Sequence, residues 1–251
     1  MISISAHGTG WSSQVIFGRS LSVVKLSQER ETAIGSWCSL HHYLYVMVSN
    51  TDRLPRPLPR IRRGQQGPIL AAVGANVTVF DASERQLQDH MVADRDDLAL
   101  ETIQGDMANL SCFDDSVFDF IFHSCSNCFA EDIKPVWREA YRVLRPGGSI
   151  VSGIVKPFYG LFDLDLEKQG TFQLKFSMPH SDLMLSDEER ENWFGSDTPI
   201  EFVHSLGDQL GGQLDAGFLI AGLYEDDWGG SEPIDQFIKS FVAVRAIKPA
   251  V

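Results

Sequence analysis

The sequence predicts a doubly wound α/β fold with a parallel sheet, because strand-like and helix-like segments alternate along most of the chain. Residues 76–80, 117–123 and 149–155 are short apolar runs of the kind that form buried parallel strands. Residues 132–144 carry apolar side chains at the spacing of one helical face, and the Pro-Gly-Gly turn at 146–148 ends that helix. A length of 251 residues suits one such domain with an extension.

The strand ends are where a ligand is expected. The first of these strands runs into Asp81, after which Ser83 opens a helix, and residues 100–103 are a further strand candidate ahead of Asp106. Ligands of doubly wound sheets bind beyond the carboxyl ends of the strands. This rule directs attention to Asp81, Asp106 and the loop that begins at His123.

Composition excludes several classes of protein. The formal charge is −13 with 34 acidic and 21 basic residues, which argues against a general nucleic-acid binder or a protein of anionic membranes. No apolar run approaches the roughly 20 residues of a membrane span, and no secretion signal is recognised at the start. Four cysteines in a chain of this size are typical of a reduced, cytoplasmic protein, and the Cys125/Cys128 pair lacks the second pair of a zinc site. We therefore expect no metal.

The charge changes abruptly near residue 63. Residues 1–63 contain 8 basic and 3 acidic residues, whereas residues 64–251 contain 13 basic and 31 acidic residues. The last part of the first segment, residues 53–63, has three prolines and five arginines and is not a helix. A solvated, proline-stiffened linker is one interpretation, and a binding patch is another. The sequence thus divides into an unassigned segment, 1–63, and a domain, 64–251.

Four motifs in order carry a family resemblance: VTVFDAS ending in the 81–83 region, Gly105-Asp106-Met107, the run FDFI at 118–121, and WREAYRVLRPGG at 137–148. With this order the domain resembles the class I S-adenosylmethionine-dependent methyltransferases, in particular the type 11 group. The resemblance implies a seven-strand, mostly parallel, Rossmann-like sheet with an antiparallel last strand. It identifies residues 217–224 and 241–247 as the sixth and seventh strands, with an insertion or lid at about 161–214.

The resemblance also implies a function and a set of site residues. It implies transfer of a methyl group from S-adenosylmethionine to a small-molecule acceptor, with Asp81 holding the ribose and Asp106 contacting the adenine. The residues expected to bind the cofactor are Gly64, Gln65, Asp81, Ala82, Gly105, Asp106, Met107 and His123. His123 and Asn127 follow the fourth strand and are the candidate catalytic residues, as a base or as acceptor contacts.

One motif of the family is absent. Its first strand should run into a Gly-rich loop, but residues 57–66 have prolines at alternate positions and one glycine, which cannot form a central strand. A one-nucleotide shift of suitable codons for residues 57–63 yields Leu-Cys-Leu-Ala-Ser-Gly-Gly, an apolar strand with a Gly-rich loop. A reading-frame fault or mis-annotation upstream of Gly64 is therefore our hypothesis, and it predicts poor cofactor binding by this chain.

Two other functions remain open at this stage. A non-catalytic or defective methyltransferase-like protein follows if the Gly-rich loop is truly absent. A nicotinamide-dependent oxidoreductase shares the strand order and the acidic ribose ligand, but the Gly-Asp pair and the Pro-Gly-Gly turn favour a methyltransferase. No nucleophile triad is expected, because methyl transfer depends mainly on holding two reactants close together.

Overall fold

The computed structural model of the chain describes residues 13–17, 22–26, 45–49, 67, 70–71, 74–90, 100–195 and 198–250. The strands are β1 Ser13–Phe17, β2 Ser22–Leu26, β3 Tyr45–Ser49, β4 Asn76–Asp81, β5 Leu100–Gln104, β6 Phe118–His123, β7 Leu144–Val155, β8 His180–Ser181, β9 Phe202–Val203, β10 Leu219–Asp226 and β11 Phe241–Ile247. The α-helices are α1 Glu84–His90, α2 Lys134–Val143, α3 Leu164–Glu167, α4 Asp187–Trp193 and α5 Gly212–Asp215.

Seven strands form one sheet in the order β10-β11-β7-β6-β3-β4-β5. The pairs β4/β5 and β6/β7 are parallel, and β11 is antiparallel to both of its neighbours. Five of the seven strands thus run in one direction, while β3 and β11 run in the other. The predicted α/β class, the seven-strand sheet and its antiparallel last strand are confirmed.

The centre of the sheet differs from the expected arrangement. The missing first strand leaves no gap, because β3 lies between β4 and β6 and is antiparallel to both. Tyr45 is paired with Phe80 and His123, whereas Ser49 is paired with Asn76. Strand β3 therefore ends beside the first residue of β4, at the opposite end of that strand from Asp81.

The sequence of β3 explains why it occupies this position. Val46, Met47 and Val48 are at most 1% exposed, so the strand is buried on both faces. Met47 packs in one core cluster with Ile121, whereas Val46 and Val48 belong to the cluster on the other side. An empty slot would leave the facing backbone groups of β4 and β6 without partners, and an apolar strand of either direction can satisfy them.

Helix α2 packs against one face of the sheet, in the core cluster that contains Met47 and Ile121. Its residues Val136, Trp137 and Ala140 are fully buried, as the predicted helical spacing requires. A Cβ on Gly212 of α5 would lie 2.6 Å from the Trp137 ring, so only glycine permits this close approach. The indole Nε1 of Trp137 donates to the carbonyl of Asp208 at 3.3 Å.

The predicted turn after α2 belongs to a strand in the structure. Strand β7 begins at Leu144, directly after the helix, and includes the Pro-Gly-Gly residues. The reason is hydrogen bonding: Gly147 N–H donates to the carbonyl of Lys248 at 2.8 Å, and Lys248 N–H donates to that of Gly148 at 2.9 Å. Gly147 has φ of +82°, which glycine adopts without strain.

Residues 161–214 contain short elements only, among them α3, α4 and the β8/β9 pair. Among the described residues, no helix is both long and apolar enough to cross a membrane. Cys112 and Cys128 are free thiols, whereas Cys125 is disulfide-bonded, so the expectation of a wholly reduced set is wrong at that residue. The described part of the chain holds no group of three or more His, Cys, Asp or Glu side chains suited to a metal ion.

Candidate functional site

A cavity of about 610 Å³ lies at the carboxyl ends of β4 and β5. Five predicted cofactor residues line it together: Asp81, Ala82, Gly105, Asp106 and Met107. Gly64 and Gln65 lie outside the described residues. We call this space the larger cavity.

Hydrogen bonds hold the two strand ends of the larger cavity in place. Asp81 Oδ1 accepts from Ser83 N–H at 2.7 Å, and the Asp81 carbonyl accepts from Gly105 N–H at 3.0 Å. Asp106 Oδ1 accepts from Ala108 N–H at 2.8 Å. Each carboxylate thus orders the turn that follows its own strand while it lines the larger cavity.

Gly105 is required by close packing in the wall. A Cβ at this position would lie 2.3 Å from the tip of the Phe80 ring. Phe80 is 2% exposed and cannot move far, because its ring packs against Phe113 at a centroid distance of 5.7 Å. The Gly-Asp pair therefore needs glycine for steric reasons at the strand end.

His123 is not among the residues that line the larger cavity. It is fully buried, its Nε2 donates to Asn127 Oδ1 at 2.6 Å, and Ser126 Oγ donates to its Nδ1 at 3.3 Å. Asn127 Nδ2 donates in turn to Gln209 Oε1 at 2.6 Å. Burial lowers the pKa of His123 to about 4, against the opposing effect of the Asn127 hydrogen bond.

This geometry makes His123 a neutral member of a buried polar network beneath the site. It does not bring the imidazole to the predicted cofactor residues, and its catalytic role stays a prediction. Asn127 lies closer to open space, because it lines a second cavity.

The second cavity, which we call the smaller cavity, measures about 150 Å³. It is lined mainly by apolar and aromatic side chains, including Phe162, Phe176 and Phe202. Trp193, Phe194 and Glu201 line both cavities. The two spaces therefore share a wall that comes from the segment 161–214.

Sequence reasoning did not identify this shared wall. The segment was expected to form a lid or substrate-side element, but no periodic pattern or motif distinguishes Trp193, Phe194 or Glu201 within it. Two histidines of this segment, His180 and His204, line the smaller cavity. His204 Nε2 donates to the carbonyls of Asn127 at 3.1 Å and Ala130 at 2.8 Å, which fixes its ring.

Comparison with known proteins identifies the family. A methyltransferase-domain family matches residues 62–152. The chain is 48% identical over 187 residues to the uncharacterized methyltransferase YbaJ of Bacillus subtilis (strain 168). The match covers 74% of this chain and 72% of that protein. The chain belongs to the methyltransferases.

A solved structure agrees with the fold of this methyltransferase. The crystal structure of an S-adenosylmethionine-dependent methyltransferase from Mesorhizobium loti superposes with a TM-score of 0.50 and 18% sequence identity. The match covers 67% of this chain and 78% of that chain. At this identity the likeness supports the fold alone.

The larger cavity suits the methyl donor chemically. Its volume of about 610 Å³ lies within the range of about 300–1,000 Å³ that small-molecule sites occupy. Asp81 offers carboxylate oxygens for ribose hydroxyls, and Phe80, Met107 and Trp193 supply apolar surface for a flat base. The residues present therefore fit S-adenosylmethionine.

Two carboxyl groups stand out in the wall of the smaller cavity. Burial, with a further contribution from the nearby charge of Asp182, raises the pKa of Glu201 to about 7. Burial likewise raises the pKa of Asp182, although the Glu201 N–H donates to Asp182 Oδ2 at 2.9 Å. Glu201 as a whole residue is exposed, although its carboxyl group is buried enough to raise its pKa.

Proposed function

We propose that this methyltransferase binds S-adenosylmethionine in the larger cavity and methylates a small molecule in the smaller cavity. One observation carries the proposal: the two cavities share Trp193, Phe194 and Glu201 as a common wall. A donor and an acceptor in adjoining spaces can be held at reaction distance, which is the main requirement for this displacement.

The chain's own residues bind and orient the two reactants. S-adenosylmethionine supplies an electrophilic methyl group on a sulfonium. Asp81 and Asp106 are positioned to hold the nucleoside part, since both line the larger cavity on rigid strand ends. Trp193 and Phe194 supply apolar surface to both cavities.

A small-molecule acceptor fits the size and charge of the site better than a macromolecule. The smaller cavity holds only about 150 Å³, and the net charge of −18 on residues 64–251 opposes binding of nucleic acid. We propose neither a nucleic-acid nor a membrane partner, and we propose that the protein acts in the cytoplasm.

A second candidate function is a methyltransferase-like protein with weakened donor binding. The direction of β3 favours it, because the strand ends with Ser49 at the sheet edge away from Asp81. In the family arrangement the first strand delivers its Gly-rich loop at the edge where the donor binds. A strand of the opposite direction cannot do so directly.

Calorimetric binding of S-adenosylhomocysteine tests the proposal. We expect a dissociation constant in the micromolar range, a loss of about tenfold or more in Asp81→Asn through its weaker hydrogen bonds, and a similar loss in Gly105→Ala through displacement of Phe80. Asp215→Asn, an exposed carboxyl outside both cavities, is the matched control and should bind normally.

The same titration tests the second candidate. A variant in which residues 57–63 are replaced by Leu-Cys-Leu-Ala-Ser-Gly-Gly restores the expected strand and loop. If this variant binds S-adenosylhomocysteine and the unaltered chain does not, donor binding is impaired as the reading-frame hypothesis predicts. Equal micromolar binding by both chains would contradict that hypothesis.

A further inference from the structure

We infer that the smaller cavity takes an amine of about the size of benzylamine and that Glu201 accepts the proton which its nitrogen loses on methylation. The inference rests on the proposed function and names the substrate class for the same site. Four properties of the smaller cavity support it: its size, its aromatic walls, its charge and the wall that it shares with the larger cavity.

Size and wall chemistry limit the acceptor to a compact, largely apolar molecule. A closed apolar cavity of about 150 Å³ is large enough for one benzene-sized ring. Phe162 packs against Phe172 with ring centroids 5.5 Å apart, and Phe176 stacks on His180 at 4.2 Å. Phe162, Phe176 and His180 line the cavity, and their rings supply an aromatic surface that suits an aromatic or alicyclic body.

The wall has a negative balance. Of the cationic side chains in the lining, Lys156 is ion-paired with Glu225. His180 is buried and its pKa is lowered by burial, which keeps the ring neutral at pH 7, and His204 donates to two backbone carbonyls. Asp182 and Glu201 remain as the acidic groups of the lining. A positively charged ligand head therefore suits this wall better than an anion.

Two aromatic rings of the same wall already lie within cation–π distance of an ammonium group. Lys175 Nζ lies 4.5 Å from the ring centroid of Trp193 and 5.4 Å from that of Phe176. Such rings attract ammonium groups through their negative faces. The carboxylates and these rings together favour an ammonium group over a neutral hydroxyl.

Glu201 is the carboxyl of the wall that the two cavities share. It lines both cavities, whereas Asp182 lines the smaller cavity alone. A carboxyl with a pKa of about 7 is ionised in about half of the molecules at neutral pH and can take up and release a proton there. Neighbouring groups include Cys128, whose pKa is raised chiefly by burial and further by the charges of Glu201 and Asp182, so it stays a neutral thiol.

The step is balanced in atoms and charge. The bound ammonium group gives one proton to the Glu201 carboxylate, which frees the lone pair of the nitrogen. The nitrogen then forms a bond to the methyl carbon while the carbon–sulfur bond breaks and leaves its electron pair on sulfur. The products are a methylated ammonium ion, a neutral thioether and a protonated Glu201, which returns its proton to solvent.

Binding of two matched probes tests the inference without any need for turnover. Benzylamine and benzyl alcohol differ in the ammonium or hydroxyl head and have nearly the same size. Each is titrated into the full chain by calorimetry, with and without saturating S-adenosylhomocysteine, between pH 5.5 and 8.5. We expect benzylamine to bind about tenfold or more tightly than benzyl alcohol at pH 8, and this preference to fall through about pH 7 as Glu201 is protonated.

Three variants identify the carboxyl responsible. Glu201→Gln keeps the shape and removes the charge, so the preference for benzylamine and its pH dependence should both disappear. Asp182→Asn removes a charge that raises the pKa of Glu201, so the midpoint should move to lower pH. Glu188→Gln, an exposed carboxyl of α4 outside both cavities, should behave like the unaltered chain.

The outcomes separate this inference from the proposed function. Normal S-adenosylhomocysteine binding with equal or tighter binding of benzyl alcohol, or with no probe binding at all, overturns the amine assignment alone. Retention of the pH midpoint in Glu201→Gln overturns the role of Glu201. Loss of S-adenosylhomocysteine binding contradicts the proposed function, while the probe titrations without it still decide the amine assignment. Donor-analogue binding by Glu201→Gln would also show that this variant is folded.

Discussion

Replacing Met47 by alanine is expected to lower the free energy of unfolding by about 2–5 kcal/mol, the range for truncating a fully buried methionine. Met47 is 0% exposed and lies at the middle of β3, between Thr78 of β4 and Ile121 of β6. Its side chain belongs to the core cluster that also contains Trp137. Truncation would remove apolar contacts and leave a cavity where the neighbours are held by the sheet and α2.

The measurement is urea unfolding of the full chain, followed by tryptophan fluorescence and by circular dichroism. A loss of about 3 kcal/mol should lower the melting temperature by roughly 6–12 °C for a protein of this size. The slope with urea should stay the same if only stability changes. Met184→Ala is the matched control, because Met184 is 62% exposed and its truncation should change stability by less than about 0.5 kcal/mol.

The prediction would be contradicted if Met47→Ala and Met184→Ala unfolded at the same urea concentration. Residues 45–49 would then not occupy the centre of the sheet, and the position between β4 and β6 would need another strand. The experiment therefore tests the placement of β3 at the centre of the sheet.

Two further predictions concern charge inside and beside the core. His123 has its pKa lowered to about 4 in the fold, so the unfolded chain binds a proton below pH 6.5 that the fold excludes. Stability should therefore be fully present above pH 6.5 and fall between pH 6.5 and 4, by on the order of 2–3 kcal/mol from this residue. Urea titrations should give a shallower pH dependence in His123→Gln, and an unchanged dependence would contradict the assignment. Arg142→Met should cost about 1–3 kcal/mol, because the guanidinium donates to the carbonyls of Leu110 at 2.8 Å and Phe113 at 2.9 Å, which would lose these partners. Arg138→Met, on the exposed side of the same helix, should leave the free energy of unfolding nearly unchanged in thermal unfolding. Equal losses of stability in both variants would disprove the role of the Arg142 hydrogen bonds.

The donor side of the site could be predicted from sequence because its residues lie at strand ends. Asp81 follows an apolar run, and Gly105-Asp106 follows the next strand, so a simple rule about parallel sheets brings them together. The structure confirms that they line one cavity. His123 also ends a strand, but its side chain is buried beneath the site among Ser126 and Asn127, and no local pattern indicates that orientation.

The smaller cavity and the wall that it shares with the larger cavity could not be predicted in this way. Glu201 and Asp81 both line the larger cavity, although Glu201 lies about 120 positions later in the sequence. It belongs to a segment of short helices and two-residue strands. Hydrophobic periodicity identifies elements that bury one face over several turns or alternations, and such short elements have none. The raised pKa of Glu201 likewise depends on burial and on Asp182, both of which arise only when the chain is folded.

The sequence by itself determined the α/β class, the motif order of the methyltransferase family and the strand-end residues of the larger cavity. It did so because apolar periodicity and turn residues act locally along the chain. Only the tertiary structure decided that Tyr45–Ser49 fills the central position of the sheet in the reverse direction and that Glu201 lines both cavities. An apolar strand can pair in either direction, and a loop residue meets its neighbours only through long-range packing, so neither outcome is encoded in a local pattern.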